Sequence, residues 1–531
     1  MDIDNLPGLS DELRKLARQA YFEIGRENYS EALQLADQIE QLPPEPYSDF
    51  LQGAIRIDGG QDELEVSKAI ELYRKHEPEF ESDERRIPGS MSSPSFYYNL
   101  ANGYSGLARL KRKKNKHYDY FQKTRTEFDY AKEYFRKALA SPKIIGRQKS
   151  LAHISLGSCL DDVGRTLDAL ECYDAALTVT PNSGEAQGHK GQCFYNLAWY
   201  SRKNLRLFLS ESHYLLKIGV DSSDAPPFAK PTWSRLMSDI EKRLGDKIIE
   251  PPFNPKYENP GTTQVEKDYL DFGFKHKLYL NVCNYCSQRC NKAIKDTLNV
   301  ESMVVPVTTD FDNDPFLRLQ NWMNQIRLAY ATARYLLFQA TQAPYDNDFV
   351  LKPVLIMETM DYSIYDIDTE LLKVAFRSFY SILDQIAWIL NEYLVLGIDL
   401  DKIYFSNVWY EIRGKKKHRE RFVRPQILAT DSPTLNALFD LNFDFENSES
   451  YNQLRKMRNC LIHRFVDVTD FQMNPTEDKL DKRELERRTI ELAQIVRNAV
   501  AYLMFFLWKD TKEAAANKDS ILPTLTLDKR E

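Results

Sequence analysis

The stretch LAHISLGSCLDDVGRTLDALECYDAALTVTPNS (residues 151–183) decides how the first half of the chain folds. Gly157 and Ala169 are small enough to let two helix backbones approach, Tyr173 is large enough to fill the gap beside them, and Pro181 ends a helix. Around it lies a chain of 531 residues that is 43% apolar and 28% charged, the composition of a globular protein with two to four domains. The net charge of −7 means that the whole molecule does not advertise nucleic-acid binding, so only local basic patches can serve it. The apolar run AVAYLMFFLW (499–508) is too short to span a bilayer, and the N-terminus lacks a basic-then-apolar leader. Seven cysteines without a regular framework fit a reducing compartment, and the expected location is the cytoplasm, with no membrane partner.

The 151–183 unit resembles a tetratricopeptide repeat (TPR), a helix-turn-helix unit with a period of about 34 residues. Leu156, Gly157, Leu160, Gly164, Ala169, Tyr173, Ala176 and Pro181 occupy that family's places. YYNLANGYSGLA (97–108) and YAKEYFRKALASP (130–142) form a split unit around an insertion carrying KRKKNKH (111–117), which is either a solvated loop or an RNA contact. GEAQGHKGQCFYNLAWY (184–200) starts a further repeat, and 27–44 and 67–78 read as weaker second helices. Residues 1–247 are therefore expected to form a TPR-like α-solenoid whose concave face takes a protein partner or trigger.

IIEPPFNPKYENPGTTQ (248–264) reads as a proline-rich linker, and 265–310 as a connecting region with LYLNV and MVVPVTT possible as extended segments. Cys283, Cys286 and Cys290, with His276 ahead of them, offer enough ligands for zinc. A structural zinc site normally shows two ligand pairs, however, and CNYCSQRCNKAIK also reads as helix. Buried or free thiols are the expectation, with no metal and no cofactor.

From Asp314 the chain returns to long amphipathic helices. The first has Asp314 as N-cap and Pro315 at its first position, the second covers about 369–396, the third about 448–466 and the fourth about 481–509. They predict a helical bundle over 311–512, with a polar tail at 513–531. Between helices two and three an insert (398–447) holds seven Lys/Arg against two Glu within residues 411–424.

The third helix contains RKMRNCLIHRFV (455–466). Its apolar stripe is Tyr451, Leu454, Met457, Leu461 and Phe465, and Arg458 falls within it. An arginine there needs an anionic or polar partner, because burying it alone is costly. Five residues further on, His463 diverges from Arg458 by roughly 140° on an ideal helix, so the two border one cleft without touching.

Arg458-Asn459, three residues and His463, on the third long helix of a bundle, resemble the signature of the HEPN family. The bare spacing recurs at Arg112–His117, Arg147–His153, Arg206–His213 and Arg413–His418. Helical context, Asn459 and the apolar stripe single out 458–463. A TPR array joined to a HEPN domain also resembles bacterial conflict-system proteins, which implies antiviral defence or toxin action.

The resemblance implies metal-independent cleavage of RNA, with the 2′-hydroxyl attacking the adjacent phosphate. Arg458 would stabilise the phosphate, His463 would act as general acid/base and Asn459 would orient one of them. HEPN domains pair, so a homodimer would bring both motifs to one cleft. Asp384 on the second helix is a candidate supporting residue, a solvated aspartate being the alternative. Arg455 and the insert's Lys415, Lys416, Lys417, Arg419 and Arg421 are candidates for gripping RNA backbone, with Tyr404, Trp409 and Phe422 available for stacking. A plain basic loop is the alternative. The expected architecture is all-α, a TPR-like solenoid followed by a HEPN-like four-helix bundle. The rival to the ribonuclease is a non-catalytic dimeric adaptor that binds RNA or nucleotide. A metal-dependent enzyme built on the cysteines comes third.

Overall fold

The computed structural model describes residues 9–43, 47–82, 93–113, 124–200, 205–249, 257–286, 291–298, 315–342, 348–357, 362–414, 420–430, 432–464, 466–469 and 479–516. The chain is all-α apart from two short strand pairs among these residues. It divides into two compact units, Met1–Cys193 with Leu215–Met237 and Phe194–Tyr214 with Ser238–Glu531.

The first unit is built from α1 (Asp11–Gly25), α2 (Tyr29–Gln41), α3 (Ser48–Gly59), α4 (Glu63–Ser82), α5 (Ser93–Lys113), α6 (Arg125–Ala140), α7 (Gly146–Asp162) and α8 (Thr166–Val179). Parts of α9 (Gly184–Tyr200), α10 (Leu205–Asp221) and α11 (Lys230–Leu244) complete it. Each helix packs on its successor, so α1 to α8 form four stacked hairpins, the arrangement of an α-solenoid. The small-against-large rule of residues 151–183 repeats along the stack. A Cβ built on Gly157 would lie 2.8 Å from the Tyr173 ring, one on Gly53 2.7 Å from the Tyr73 ring, and one on Gly188 2.4 Å from Trp233. Tyr73, Tyr173 and Trp233 are fully buried. We therefore expect Gly157→Ala to destabilise this unit by about 1–3 kcal/mol through overpacking, read as a fall in its unfolding midpoint. An unchanged midpoint would contradict the close approach of α7 and α8.

Between α2, α3 and α4 a buried arginine replaces apolar contact. Arg56, 2% exposed, pairs with Asp37 at 2.6 Å, with Glu40 at 3.1 Å and with Glu65. The start of the basic insertion on α5 also has partners within the unit. Lys111 pairs with Glu127, and Arg112 donates to the Asp162 carbonyl at 2.9 Å. Residues 114–117 lie outside the described residues.

The second unit contains α12 (Gln264–Lys275), α13 (Pro315–Gln342), α14 (Ile367–Tyr393), the hairpin β1 (Tyr410–Arg413) and β2 (Glu420–Val423), the single turn α15 (Pro425–Leu428), α16 (Pro433–Asn447), α17 (Glu449–His463), the parallel pair β3 (Asp467–Thr469) and β4 (Lys479–Asp481), and α18 (Lys482–Ala516). α13 lies along α14, while α14 and α16 pack on α18. α17 packs on α16 and α14. The four helices expected from the sequence are thus joined by α16, which comes from the insert and buries Leu435, Leu438, Phe439, Leu441 and Phe445. Its start carries two ordinary signals, since the Ser432 hydroxyl accepts from the Leu435 N–H at 3.4 Å and Pro433 opens the first turn. α18 is long and apolar enough over Lys482–Trp508 to cross a membrane, but this stretch is mostly buried inside the fold.

Residues 276–286 and 291–298 are neither strand nor long helix, contrary to the expectation of an extended LYLNV, and residues 287–290 of CNYCSQRCNKAIK lie outside the described residues. Asparagine side chains take over the backbone bonding there, which competes with both helix and sheet. Asn281 Nδ2 donates to the carbonyls of Ala293 and Lys295 at 2.9 and 2.8 Å, and Asn284 Nδ2 to that of Tyr279 at 2.7 Å. Two arginines bind the segment to the helices. Arg334 of α13 holds Asp296 and the Leu278 carbonyl, and Arg497 of α18 holds Tyr285 and the Lys277 carbonyl. MVVPVTT lies outside the described residues.

Candidate active site on helix α17

α17 buries Leu454, Met457, Cys460 and Leu461 and so fixes which of its polar side chains face outward. Arg458 is half-buried, as its place in the apolar stripe requires. One partner comes from α14 and the other is its neighbour on α17. The Arg458 guanidinium carbon lies 5.4 Å from the centroid of the Tyr380 ring, and Nη1 donates to Asn459 Oδ1 at 3.0 Å. A cation over an aromatic face is attracted by the ring quadrupole, which offsets part of the lost hydration.

One turn beyond Tyr380 on α14 stands Asp384, half-buried rather than solvated. Its Oδ1 accepts from the Phe405 N–H at 2.9 Å. Burial raises the pKa of this carboxyl, and the Phe405 N–H and the Arg458 charge pull it only part of the way back. Burial and the Asp384 charge push the Tyr380 phenol up to about 12, against the lowering effect of Arg458 and Arg455. Arg455 itself donates to Asn452 Oδ1 at 2.9 Å. Two arginines of α17, Arg455 and Arg458, thus act on the Tyr380 phenol of α14, and Arg458 acts on the Asp384 carboxyl as well. His463 is the last residue of α17, and its side chain lies outside what is described. Phe465 lies outside the described residues as well.

Tyr380 is absent from the sequence-based candidates. The one signal for it is its spacing of four from Asp384, which places both on one face of α14. Phe445 of α16 meets its ring edge-on at 5.7 Å, and Tyr451 of α17 meets Phe445 at 5.4 Å.

The basic insert is only partly described. Lys415, Lys416, Lys417 and Arg419 lie outside the described residues. Arg421 pairs with Glu446 at 3.1 Å and sits over the Tyr410 ring at 5.6 Å. Arg413 pairs with Glu411 at 2.8 Å, and Arg424 donates to the Val408 carbonyl at 3.0 Å. Tyr404 and Phe422 are exposed, but Trp409 is fully buried between Phe405 and Phe439 and is not available for stacking on a base.

The cysteine cluster does not assemble a metal centre in what is described. Cys283 and Cys286 are buried, and Cys290 lies outside the described residues. The His276 ring packs on Phe272 at 4.8 Å, and burial, aided by Lys275, holds its pKa below the usual imidazole value. Among the described residues no group of three or more His, Cys, Asp or Glu side chains is placed to hold a metal ion.

Residues 312–510 match the family of LA2681-like HEPN domains, and this span contains α13 to α17, the insert and most of α18. The C-terminal part of the chain is therefore similar to HEPN domains. No curated protein matches the chain.

Proposed function

We propose that residues 311–512 form a metal-independent endoribonuclease of HEPN type, governed by a protein that binds the solenoid, and that it acts in antiviral defence or as a toxin. The observation that carries this reading is the seating of Arg458 on α17, over Tyr380 and beside Asp384, on a helix that ends at His463. The planar guanidinium presents parallel N–H donors to phosphate oxygens, the geometry that a pentavalent phosphorus centre requires. An unperturbed imidazole has a pKa near neutrality, and that chemistry suits His463 to move protons at physiological pH.

The reaction is an internal transesterification. A base takes the proton of the RNA 2′-hydroxyl, the 2′-oxygen bonds to phosphorus, and the bond from phosphorus to the 5′-oxygen breaks. An acid returns a proton to that oxygen. The products carry a 2′,3′-cyclic phosphate and a 5′-hydroxyl, and no metal is needed to balance the step. Arg458 and His463 diverge along one helix, so two copies of α17 facing each other in a homodimer supply both groups to one cleft. Arg455 lies one turn before Asn459 and contributes positive charge for the RNA backbone.

The test is incubation of the purified full-length protein with total bacterial RNA in EDTA, followed by mapping of product ends. Cyclic phosphate on the upstream fragments is the expected result. Intact RNA with and without the solenoid's partner would defeat the reading in favour of an adaptor.

A further inference from the structure

We infer that Tyr380 is a positioning residue that seats Arg458 for phosphate, a role that rests on the ribonuclease reading for its catalytic half. An arginine side chain at the edge of a surface helix has several rotatable bonds, while a transition-state clamp must be held within a fraction of an ångström. Something has to fix Arg458 without taking the donors that the phosphate needs.

A carboxylate alone does this badly. It binds guanidinium through the same paired N–H edge that binds phosphate. Asp384 acts on Arg458 through its charge, while its Oδ1 accepts from the Phe405 N–H at 2.9 Å. The guanidinium lies over the Tyr380 ring, 5.4 Å from ring centroid to the central carbon. The ring attracts the cation through its quadrupole and offers no carboxylate-like oxygen pair, so it competes with phosphate for the N–H donors less than a carboxylate does. Asn459 takes one of those donors, at Nη1.

The seat is itself braced. Tyr380 of α14 meets Phe445 of α16 edge-on at an interplanar angle of 68°, and Phe445 meets Tyr451 of α17 at 85°. Tyr451 is two turns before Arg458 on the same face of α17. A chain of ring contacts across three helices therefore backs the arginine, and the helix supplied by the insert is one of them. This gives α16 a part in the site as well as in the core.

The test uses the full chain with Tyr380→Leu, which removes the ring face, and Tyr380→Phe, which keeps it. Phenylglyoxal labels accessible guanidinium groups, and peptide mass spectrometry reads the labelling rate at Arg458 whether or not the protein cuts RNA. Tyr380→Leu is expected to speed that labelling by about 3- to 30-fold, the range of a cation–π contact, while Tyr380→Phe leaves it at the wild-type rate. On RNA, kcat falls by a similar factor in Tyr380→Leu with KM unchanged, and Tyr380→Phe restores it. Tyr380→Met serves if the leucine variant fails to fold. Labelling of Arg458 at the wild-type rate in a folded Tyr380→Leu or Tyr380→Met protein overturns the proposal. Faster labelling in a protein whose wild type cuts no RNA upholds the seat and defeats the ribonuclease reading alone.

Discussion

Arg458→Ala is expected to lower the rate of RNA cleavage by about 10²- to 10³-fold, the loss that follows removal of one fixed donor to a developing oxyanion. His463→Ala is expected to lose about 10²- to 10⁴-fold, as for removal of a general acid or base. The double variant should lose little more than the worse single one, because the two groups act in one step. Neither change should unfold the protein. Arg458 is half-buried and reaches its partners from the edge of the bundle, so its loss removes one ring contact and one hydrogen bond. Single-turnover rates with a circular-dichroism melt of each variant check both halves of this expectation. Loss of activity with loss of fold would not count for the site, and full activity in either variant would remove that residue from the mechanism.

Arg334→Met is expected to cost the C-terminal unit about 3 kcal/mol, because a buried ion pair broken on one side leaves the other charge uncompensated. Arg334 is 3% exposed. Its Nη2 lies 2.8 Å from Asp296 Oδ2, its Nη1 2.9 Å from Asp296 Oδ1, and its Nε 2.9 Å from the Tyr269 hydroxyl. The guanidinium carbon sits 4.2 Å from the centroid of the Tyr279 ring. Burial alone would lower its pKa, but Asp296 outweighs burial and keeps the group charged. This one side chain ties α12, the irregular segment of residues 276–286 and 291–298, and α13 together. For a unit of this size the loss amounts to roughly 5 °C in melting temperature by calorimetry. A shift below about 2 °C would mean that the segment is held by its asparagines and by Arg497 instead.

These two arginines mark where sequence reasoning reaches and where it stops. Arg458 declared its need for a partner from its own helix, because it interrupts the stripe of Leu454, Met457 and Leu461. Its partner did not declare itself. Tyr380 lies 78 residues earlier by numbering, and which turn of α14 meets which turn of α17 is decided by packing, on which local periodicity is silent. Asp384 was within reach because the HEPN resemblance implies an acidic or polar residue on the second helix. α16 escaped notice for a specific reason: Asp440, Asn442 and Asp444 are all buried, so its apolar pattern is broken by polar residues that face the core. The Ser432-Pro433 start was the signal that should have revealed it. Residues 276–286 and 291–298 were unreadable because backbone carbonyls there are satisfied by Asn281, Asn284, Arg334 and Arg497, the last two distant in sequence. By contrast the solenoid was legible at Gly157 and Tyr173, because the two helices that meet there are neighbours in the chain and the small and large residues carry the geometry themselves.

The most direct measurement takes one RNA oligonucleotide containing a mapped cut site, and its counterpart with a single 2′-deoxy nucleotide 5′ to the cut phosphate. Both are incubated in EDTA with wild type and with Arg458→Ala. The wild-type protein should cut only the all-ribose strand at that site and leave a 2′,3′-cyclic phosphate, and Arg458→Ala should cut neither at a comparable rate. Cleavage of the deoxy-substituted strand at that phosphate, or an Arg458→Ala protein as active as wild type, would contradict a 2′-hydroxyl attack supported from α17.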